Sequence, residues 1–151
     1  MSADPIQHIL VPHDFSETAE HALEYALALA SRLGAKVTIL HTYEVVSYGY
    51  AEGIAFTADM VRELERAARA TLEGVAVRAR RKGVEVGVEL RQGSPWVEIL
   101  AFAEQSRPDL IVMGTHGRKG FTRMLLGSVT DRVLRAAPCP VLAVRDGGAP
   151  K

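Results

Sequence analysis

Two hydrophobic patterns alternate along this chain, and the first is typical of buried strands. Short apolar runs without alternation suit strands of a parallel sheet whose two faces are both covered. One further run, residues 84–90, alternates apolar with polar or small residues, which predicts a half-buried strand near an edge of the sheet. The predicted strands are residues 6–12, 37–42, 84–90, 110–113 and 141–144.

The second pattern, apolar residues at helical spacing, fills most of the connections between these strands. Ser16 can cap the first helix, and Gly34 is suited to ending it in a left-handed conformation. The apolar stripe of the second helix includes Met60 and Leu64, and that of the third includes Trp96. The predicted helices are residues 17–33, 58–82, 95–106 and 128–136.

Strands and helices therefore alternate, while residues 43–57 show neither period and are expected to form an irregular connection. Because crossovers between parallel strands are right-handed, this order predicts an α/β fold of one domain: a doubly wound, parallel, five-stranded sheet with helices on both faces. Ligands of such sheets bind beyond the carboxyl ends of the strands, where the winding direction reverses. We expect that point between the first and fourth strands, whose ends carry Asp14 and Gly114.

The composition supports one domain and excludes a general affinity for polyanions. The chain has 151 residues, of which 48% are hydrophobic, and it carries 18 basic and 18 acidic side chains. This balance excludes general attraction to nucleic acid or to a membrane, so an anion site would have to be local. Because 16 of the basic side chains lie in residues 58–151, the second part of the chain is favoured as the anion binder.

Cysteine and histidine usage adds little chemistry. Cys139 is the single cysteine, so no intrachain disulfide can form, and we interpret its thiol as a packing group rather than a nucleophile. His8, His21 and His41 lack metal-ligand spacing, so no protein metal site is expected. The sequence shows neither a secretory signal pattern nor an apolar stretch that could span a bilayer, which predicts a cytoplasmic protein.

The stretch between the fourth strand and the fourth helix is the most informative one. Gly114 and Gly117 follow the strand, and after nine more residues Gly127 and Ser128 open the helix. Glycines let backbone amides approach an anion closely, and a helix N-terminus directs N–H groups and a positive dipole end toward the same place. A phosphate cradle and an ordinary glycine-rich turn capped by Ser128 both fit this spacing.

Side chains around this stretch add to the case for a cradle. Ser128 and Thr130 supply hydroxyl donors, and His116 can contact a phosphate when protonated or serve as a simple loop residue. Beyond Asp14, no carboxylate is expected near the cradle. The local positive charge comes from Arg118, Lys119 and Arg123.

The pattern resembles the universal stress protein family over almost the whole chain. Residues 12–19 look like the first-strand signature of that family, and residues 93–95 look like its turn before the third helix. The glycine pattern, Gly114, two residues, Gly117, nine residues, Gly127 and Ser128, resembles the complete motif of the ATP-binding branch. Residues 138–144 look like the last strand. His13 stands where small or hydroxyl residues are common in the family.

The resemblance implies a Rossmann-like, adenine nucleotide α-hydrolase-like fold and a nucleotide site. Asp14 would meet the ribose, and Thr42 would offer its backbone to adenine. Met113 and Gly114 would line the nucleotide, with Pro12, His13, His116 and Arg118 beside it. The phosphates, with Mg²⁺ carried on them, would be held by Gly117, Gly127, Ser128, Val129 and Thr130.

The leading functional hypothesis is an ATP-binding cytoplasmic protein of the stress response, regulatory in role, which acts through a nucleotide-dependent conformation or dimer. One alternative is a slow ATP hydrolase or phosphotransferase, which would need a positioned base and a carboxylate-bound metal ion. The other is a partner-binding module that holds AMP or cyclic AMP. With Asp14 the only carboxylate expected near the cradle, we predict slow turnover at most.

Two structural expectations complete the hypothesis. A bulky residue in place of Gly114 or Gly127 is expected to block the path of the phosphates while the protein stays folded. The strand at the end of the chain is expected at an edge of the sheet, free to pair with a second copy about a two-fold axis. The predicted homodimer interface begins at Val141 and ends at Arg145, and residues 146–151 are expected to fray.

Overall fold

The computed structural model describes residues 4–45, 57–116 and 126–146. In these ranges, strands and helices alternate as the sequence predicts. The predictions made for Gly117, Arg118, Lys119, Arg123 and residues 46–56 and 147–151 lie outside the described residues. The elements are β1 (His8–Pro12), α1 (Glu17–Leu33), β2 (Lys36–Tyr43), α2 (Ala58–Arg80), β3 (Val86–Gln92), α3 (Pro95–Ser106), β4 (Leu110–Gly114), α4 (Ser128–Ala136) and β5 (Val141–Val144).

The five strands form one parallel sheet in the order β3-β2-β1-β4-β5. Since the chain extends the sheet from β1 through β2 to β3 and then crosses to the other side of β1, the winding direction reverses between β1 and β4. The predicted α/β fold and the position of this reversal are confirmed. β3 and β5 are the edge strands, also as predicted.

Helices cover both faces of the sheet, which explains why the central strands are apolar without alternation. On one face Val11 packs in a core with Leu72 of α2 and with residues of α1. On the other face Leu10 packs with Ile99 of α3 and Val133 of α4. Successive residues of β1 thus point to opposite cores, so both faces of the strand carry buried apolar side chains.

Element ends differ from the sequence predictions by about two residues at several places. β1 begins at His8 rather than at residue 6, and β3 begins at Val86 rather than at residue 84. α2 ends at Arg80, two residues before the predicted end. Ser16 caps α1 by accepting a hydrogen bond from Ala19 N, and Gly34 ends the helix with φ 69°, both as predicted.

The apolar stripe predicted for α2 is buried only in the second half of that helix. Met60 is 47% exposed and Leu64 is 39% exposed, whereas the buried residues lie further along. A helix of 23 residues is about 35 Å long, but the seven residues of β3 reach only about 23 Å. The N-terminal half of α2 therefore extends beyond the edge of the sheet, whereas the C-terminal half packs on the sheet. The buried residues are Leu72, Val75, Ala76 and Ala79.

The residues after β5 are anchored to α1 at their start. Thr18 Oγ1 donates a hydrogen bond of 3.0 Å to Asp146 Oδ1, and His21 Nδ1 lies 3.5 Å from the same oxygen. The prediction that the tail frays from residue 146 is therefore wrong for Asp146 itself. None of the helices in the described ranges combines the length and the apolar character that crossing a membrane requires.

Candidate functional site

A cavity of about 550 Å³ opens at the carboxyl ends of β1, β2 and β4, where the winding direction reverses. The N-termini of α3 and α4 form its opposite wall. Eleven residues of the predicted nucleotide site line it, and the two others, Gly117 and Arg118, lie outside the described residues. The eleven are Pro12, His13, Asp14, Thr42, Met113, Gly114, His116, Gly127, Ser128, Val129 and Thr130.

The loop between β1 and α1 is held in one conformation by its own side chains. Asp14 Oδ1 accepts hydrogen bonds from the backbone N–H (3.0 Å) and the hydroxyl of Ser16. Phe15 adopts φ 65°, a left-handed conformation that is costly for a non-glycine residue, and its ring stacks on His41 at 4.0 Å. Asp14 therefore both lines the cavity and fixes the turn into α1.

His13 belongs to this same internal network. Its side chain is fully buried, its Nδ1 accepts a hydrogen bond from Phe15 N (3.1 Å), and its Nε2 lies 3.5 Å from Glu20 Oε1. Burial is the main cause that lowers its pKa below 6.5, against the opposing effect of the Glu20 and Asp14 carboxylates. The ring thus stays neutral with Nδ1 as an acceptor, and it supports the loop from beneath the cavity.

Backbone alternation directs Thr42 toward the cavity. In a parallel sheet the N–H and C=O of one residue point to the same side of the strand, and successive residues alternate. Leu40 O accepts from His13 N on the β1 side, whereas Tyr43 O accepts from Gly93 N on the β3 side. Thr42 therefore directs its backbone groups to the β1 side, beyond the point where β1 ends at Pro12.

The N-terminus of α4 has no side-chain cap. Its N-cap is Gly127, and Ser128 is the first helical residue rather than the cap weighed from sequence. Gly127 N donates to Thr115 O (2.7 Å), and Asp131 N is the first helical N–H to bond back to Gly127 O (2.9 Å). The first-turn N–H groups that precede Asp131 have no partner within the helix, and they lie at the cavity.

Two predictions about this region are wrong in their mechanism. Thr130 is buried, and its hydroxyl donates to Gly114 O (2.7 Å), so that proton is not directed at a phosphate. At Gly114, an added Cβ would lie 2.5 Å from Thr18 Cγ2 and 3.2 Å from Thr18 O. Glycine is therefore required here by the close approach of α1 to β4, and a bulky replacement would disturb the fold itself.

His116 and Cys139 bear on the remaining sequence interpretations. His116 lines the cavity, and its Nδ1 is 2.9 Å from the Thr115 hydroxyl. Cys139 packs against the core between the sheet and the helices α3 and α4, and burial raises the pKa of its thiol above the ordinary value. A raised pKa disfavours the thiolate, which agrees with a packing role.

Sequence reasoning missed part of the cavity wall. Glu44, which follows β2, is a second carboxylate beside the cavity, but it lies on the β2 side rather than at the cradle. The sequence pattern predicts Trp96 only as part of a helical stripe and predicts no role for Arg132. In the structure the guanidinium carbon of Arg132 lies 4.7 Å from the centre of the Trp96 ring. The four-residue spacing from Ser128 to Arg132 was the available signal. The other missed residues are Ala19, Leu40, Ser94, Pro95 and Ile99.

Comparison with known proteins agrees with this architecture. Universal stress protein MJ0531 of Methanocaldococcus jannaschii is 37% identical over 140 residues, which cover 91% of this chain and 81% of the relative. The solved structure of protein MJ0577, from the same organism, superposes with a TM-score of 0.83 at 32% identity, covering 96% of this chain and 99% of that one.

Two further solved structures contain nucleotides. A universal stress protein in complex with cAMP is 25% identical, with a TM-score of 0.73 and coverage of 95% of this chain and all of that one. The universal stress protein from Archaeoglobus fulgidus in complex with dAMP is 25% identical, with a TM-score of 0.65 and coverage of 92% and 98%. The model of the universal stress protein family matches residues 5–145. This chain belongs to the universal stress protein family.

Proposed function

We propose that this chain is a cytoplasmic regulatory protein of the stress response that binds an adenine nucleotide, ATP with Mg²⁺, in the cavity between β1 and β4. The observation that carries the proposal is that eleven of the residues predicted for the nucleotide site line one cavity at the reversal of the winding direction. A volume of about 550 Å³ is within the range of small-molecule sites. Nucleotide occupancy would favour one conformation or dimer that a partner recognises.

The donors and acceptors around the cavity fit the parts of a nucleotide. The uncapped first turn of α4 suits a phosphate, since it offers backbone N–H groups and the positive end of the helix dipole. Asp14 suits a ribose hydroxyl, and the Thr42 backbone suits an adenine edge. Within the described residues no group of three His, Cys, Asp or Glu side chains could hold a metal ion. The proposed magnesium ion would be carried by the phosphates.

A module that holds AMP or cyclic AMP is the second candidate. The observation in its favour is that two structural neighbours are complexes with cAMP and dAMP. Each of these ligands has one phosphate, and the first turn of α4 alone could accept it. The length of the phosphate chain is therefore the variable that separates the two candidates.

ATP hydrolysis is expected to be slow at most. Asp14 Oδ1 is engaged by Ser16, and Glu44 follows β2, which lies two strands from β4. Two strand spacings are about 10 Å, so Glu44 is remote from a phosphate at α4. A turnover number above about 1 per second would contradict this expectation.

The ligand can be identified directly. The purified protein is denatured, and any released nucleotide is identified by chromatography. Calorimetric titration of nucleotide-free protein with ATP, ADP, AMP and cyclic AMP, each with Mg²⁺, then ranks their affinities. We expect ATP to bind most tightly. Tighter binding of AMP or cyclic AMP would favour the second candidate, and no binding of any of the four would contradict both.

We also propose a homodimer through β5. This strand pairs with β4 along one side and is last in the sheet, so its other side is an edge. Pro140 O and Val144 O accept hydrogen bonds from residues of β4 and from Thr115. By alternation, the backbone groups of Val141, Ala143 and Arg145 point outward, where a second copy could pair with them.

Ala143→Pro is the sharper test of this interface. It removes an outward N–H, whereas a proline at Leu142 would remove one that faces β4 inside the same chain. We expect wild type to be dimeric at micromolar concentration by light scattering and Ala143→Pro to be monomeric and folded. A monomeric wild type, with and without ATP, would contradict the dimer.

A further inference from the structure

Trp96 and Arg132 form a pair on the cavity wall that the family motif does not include. Trp96 lies in the first turn of α3 and packs against the core between the sheet and the helices α3 and α4. Arg132 lies on α4, with its guanidinium carbon 4.7 Å from the centre of the Trp96 ring. Both side chains line the cavity. An anchored indole thus holds an exposed guanidinium in place by a cation–π contact.

Charge makes this position distinctive. Arg132 is the single lysine or arginine among the described residues that line the cavity, whereas Asp14 and Glu44 supply negative charge. Arg135, one turn further along α4, forms an ion pair with Asp131 at 3.1 Å. For Arg132 the described part of the chain shows no such pair with a carboxylate. The same helix therefore carries one neutralised arginine and one whose charge remains available at the cavity.

Helix geometry brings the Arg132 side chain toward the uncapped first turn of α4. Residues four apart share one helix face, and side chains on a helix tilt toward its N-terminus. Arg132 is four residues after Ser128, so its guanidinium leans back over the N–H groups that suit a phosphate. A guanidinium stacked on an aromatic ring still presents N–H donors at its edge, which match phosphate oxygens.

We propose that the Trp96–Arg132 pair reads the phosphate charge of the nucleotide, and so makes the site prefer a triphosphate over a monophosphate and over a nucleoside. This proposal rests on the proposed function. One phosphate occupies the first turn of α4, and Arg132 binds the additional phosphate oxygens that a longer chain brings. Trp96 is a positioning residue, because it acts by holding Arg132 in place.

The test compares affinities of wild type and Arg132→Met for ATP, AMP and adenosine by calorimetry in the presence of Mg²⁺. Methionine keeps a long apolar stem on the indole and removes the charge. Because hydrogen bonds to a charged group are lost, the affinity for ATP should fall about 10- to 100-fold. The affinity for AMP should fall less, and that for adenosine should change by less than about 3-fold. Arg135→Met, on the same helix but outside the cavity, is the matched control and should leave all three affinities within about 3-fold.

Trp96 gives the test a second readout. It is the single tryptophan of the chain, so intrinsic fluorescence reports on this wall of the cavity. We expect ATP to change the emission of wild type more than that of Arg132→Met. Trp96→Leu should lower the ratio of ATP to adenosine affinity, and Trp96→Phe, which keeps an aromatic face, should restore most of it.

The outcomes separate this inference from the proposed function. If wild type binds none of the three ligands, the proposed function fails. If wild type binds ATP but Arg132→Met binds it equally well, or loses ATP and adenosine to the same extent, the pair does not read phosphate charge and the inference alone is overturned. The inference alone is also overturned if Trp96→Leu leaves the ratio of ATP affinity to adenosine affinity unchanged.

Discussion

Of the three helices that begin beside the cavity, α1 and α4 differ in how their N-terminal N–H groups are bonded. At α1, the Ser16 side chain accepts a hydrogen bond from Ala19 N and is itself bound to Asp14. At α4, the N-cap is Gly127, which offers no side chain to accept a bond. Since unpaired first-turn donors must find an acceptor elsewhere, α1 is complete without a ligand and α4 is suited to receive one. Substitutions at α1 should therefore change stability first, and substitutions at α4 should change affinity first.

The largest effect is expected where the two helices meet at Gly114. An added Cβ would lie 2.5 Å from Thr18 Cγ2 on α1, and Gly114 O accepts the bond from Thr130 on α4. Gly114→Ala should lower the free energy of unfolding by about 1–3 kcal/mol, as overpacking does, and should abolish nucleotide binding. Denaturant unfolding measures the first effect and calorimetry the second.

Thr18→Ser provides the matched background for that substitution. Serine removes Cγ2 and keeps the hydroxyl that donates to Asp146. Gly114→Ala should therefore cost less stability in the Thr18→Ser protein than in wild type, although the contact of 3.2 Å with Thr18 O remains. Equal costs in the two backgrounds would show that Thr18 is not the reason for glycine at this position.

Ser128→Ala should affect the ligand rather than the fold. Ser128 is exposed at the start of α4, so the free energy of unfolding without ligand should change by less than about 0.5 kcal/mol. ATP binding should weaken by about 1.5–3 kcal/mol, because a hydrogen bond to a charged group is lost. The affinity is measured by calorimetry. A large loss of stability in the ligand-free protein would contradict the difference between the two helices.

Asp14→Ala, unlike Ser128→Ala, should lower the stability of the ligand-free protein. Loss of the hydrogen bonds that hold Ser16, the N-cap of α1, should destabilise the protein by about 1 kcal/mol, and this is measurable without ligand. Because Asp14 is proposed to meet the ribose, ATP should also weaken more than inorganic triphosphate. Equal losses for both ligands would mean that Asp14 does not contact the sugar.

The smallest expected effect is a pH dependence from His13. Burial lowers its pKa in the folded state, so below pH 6.5 the unfolded chain binds a proton that the folded chain does not. Stability should therefore be full above pH 6.5 and should fall as the pH decreases toward the folded pKa. Protonation would also place a hydrogen on Nδ1 and remove the bond from Phe15 N.

His13→Asn should reduce this dependence of Tm on pH, since asparagine can accept the same bond without titrating. His8 must be controlled for, because burial and Lys36 lower the pKa of His8 as well. His8→Asn should remove a separate part of the slope. If His13→Asn has the same slope as wild type between pH 7.5 and 5.5, His13 is not responsible.

The sequence predicts what depends on local pattern and misses what depends on packing between distant elements. The strand runs, the helix ends at Ser16 and Gly34, and the glycine motif are local patterns, and the structure agrees with them. The remaining predicted site residues, such as Thr42, are implied by the family resemblance. The contact of Arg132 with Trp96 joins two helices whose packing no local period reveals. The exposure of Met60 and Leu64 likewise depends on where the sheet ends beneath α2.

The role of Gly114 shows the same limit more sharply. Its place in the motif predicts a position at the cavity, which the structure confirms, but the reason for glycine is the approach of Thr18 from α1. Sequence spacing does not distinguish a backbone that must approach a ligand from one that must approach another helix. Gly127 differs from Gly114, because its φ of −59° is a backbone conformation that residues other than glycine also adopt.

Gly127→Val therefore gives the most direct test of nucleotide binding at the uncapped N-terminus of α4. The Tm of wild type and of this variant is measured with and without ATP and Mg²⁺. At about 100 times the dissociation constant, ATP should stabilise wild type by about 2.7 kcal/mol, which corresponds to several degrees in Tm, while the folded variant should show no increase. An equal increase in both proteins, or none in wild type, would contradict the account.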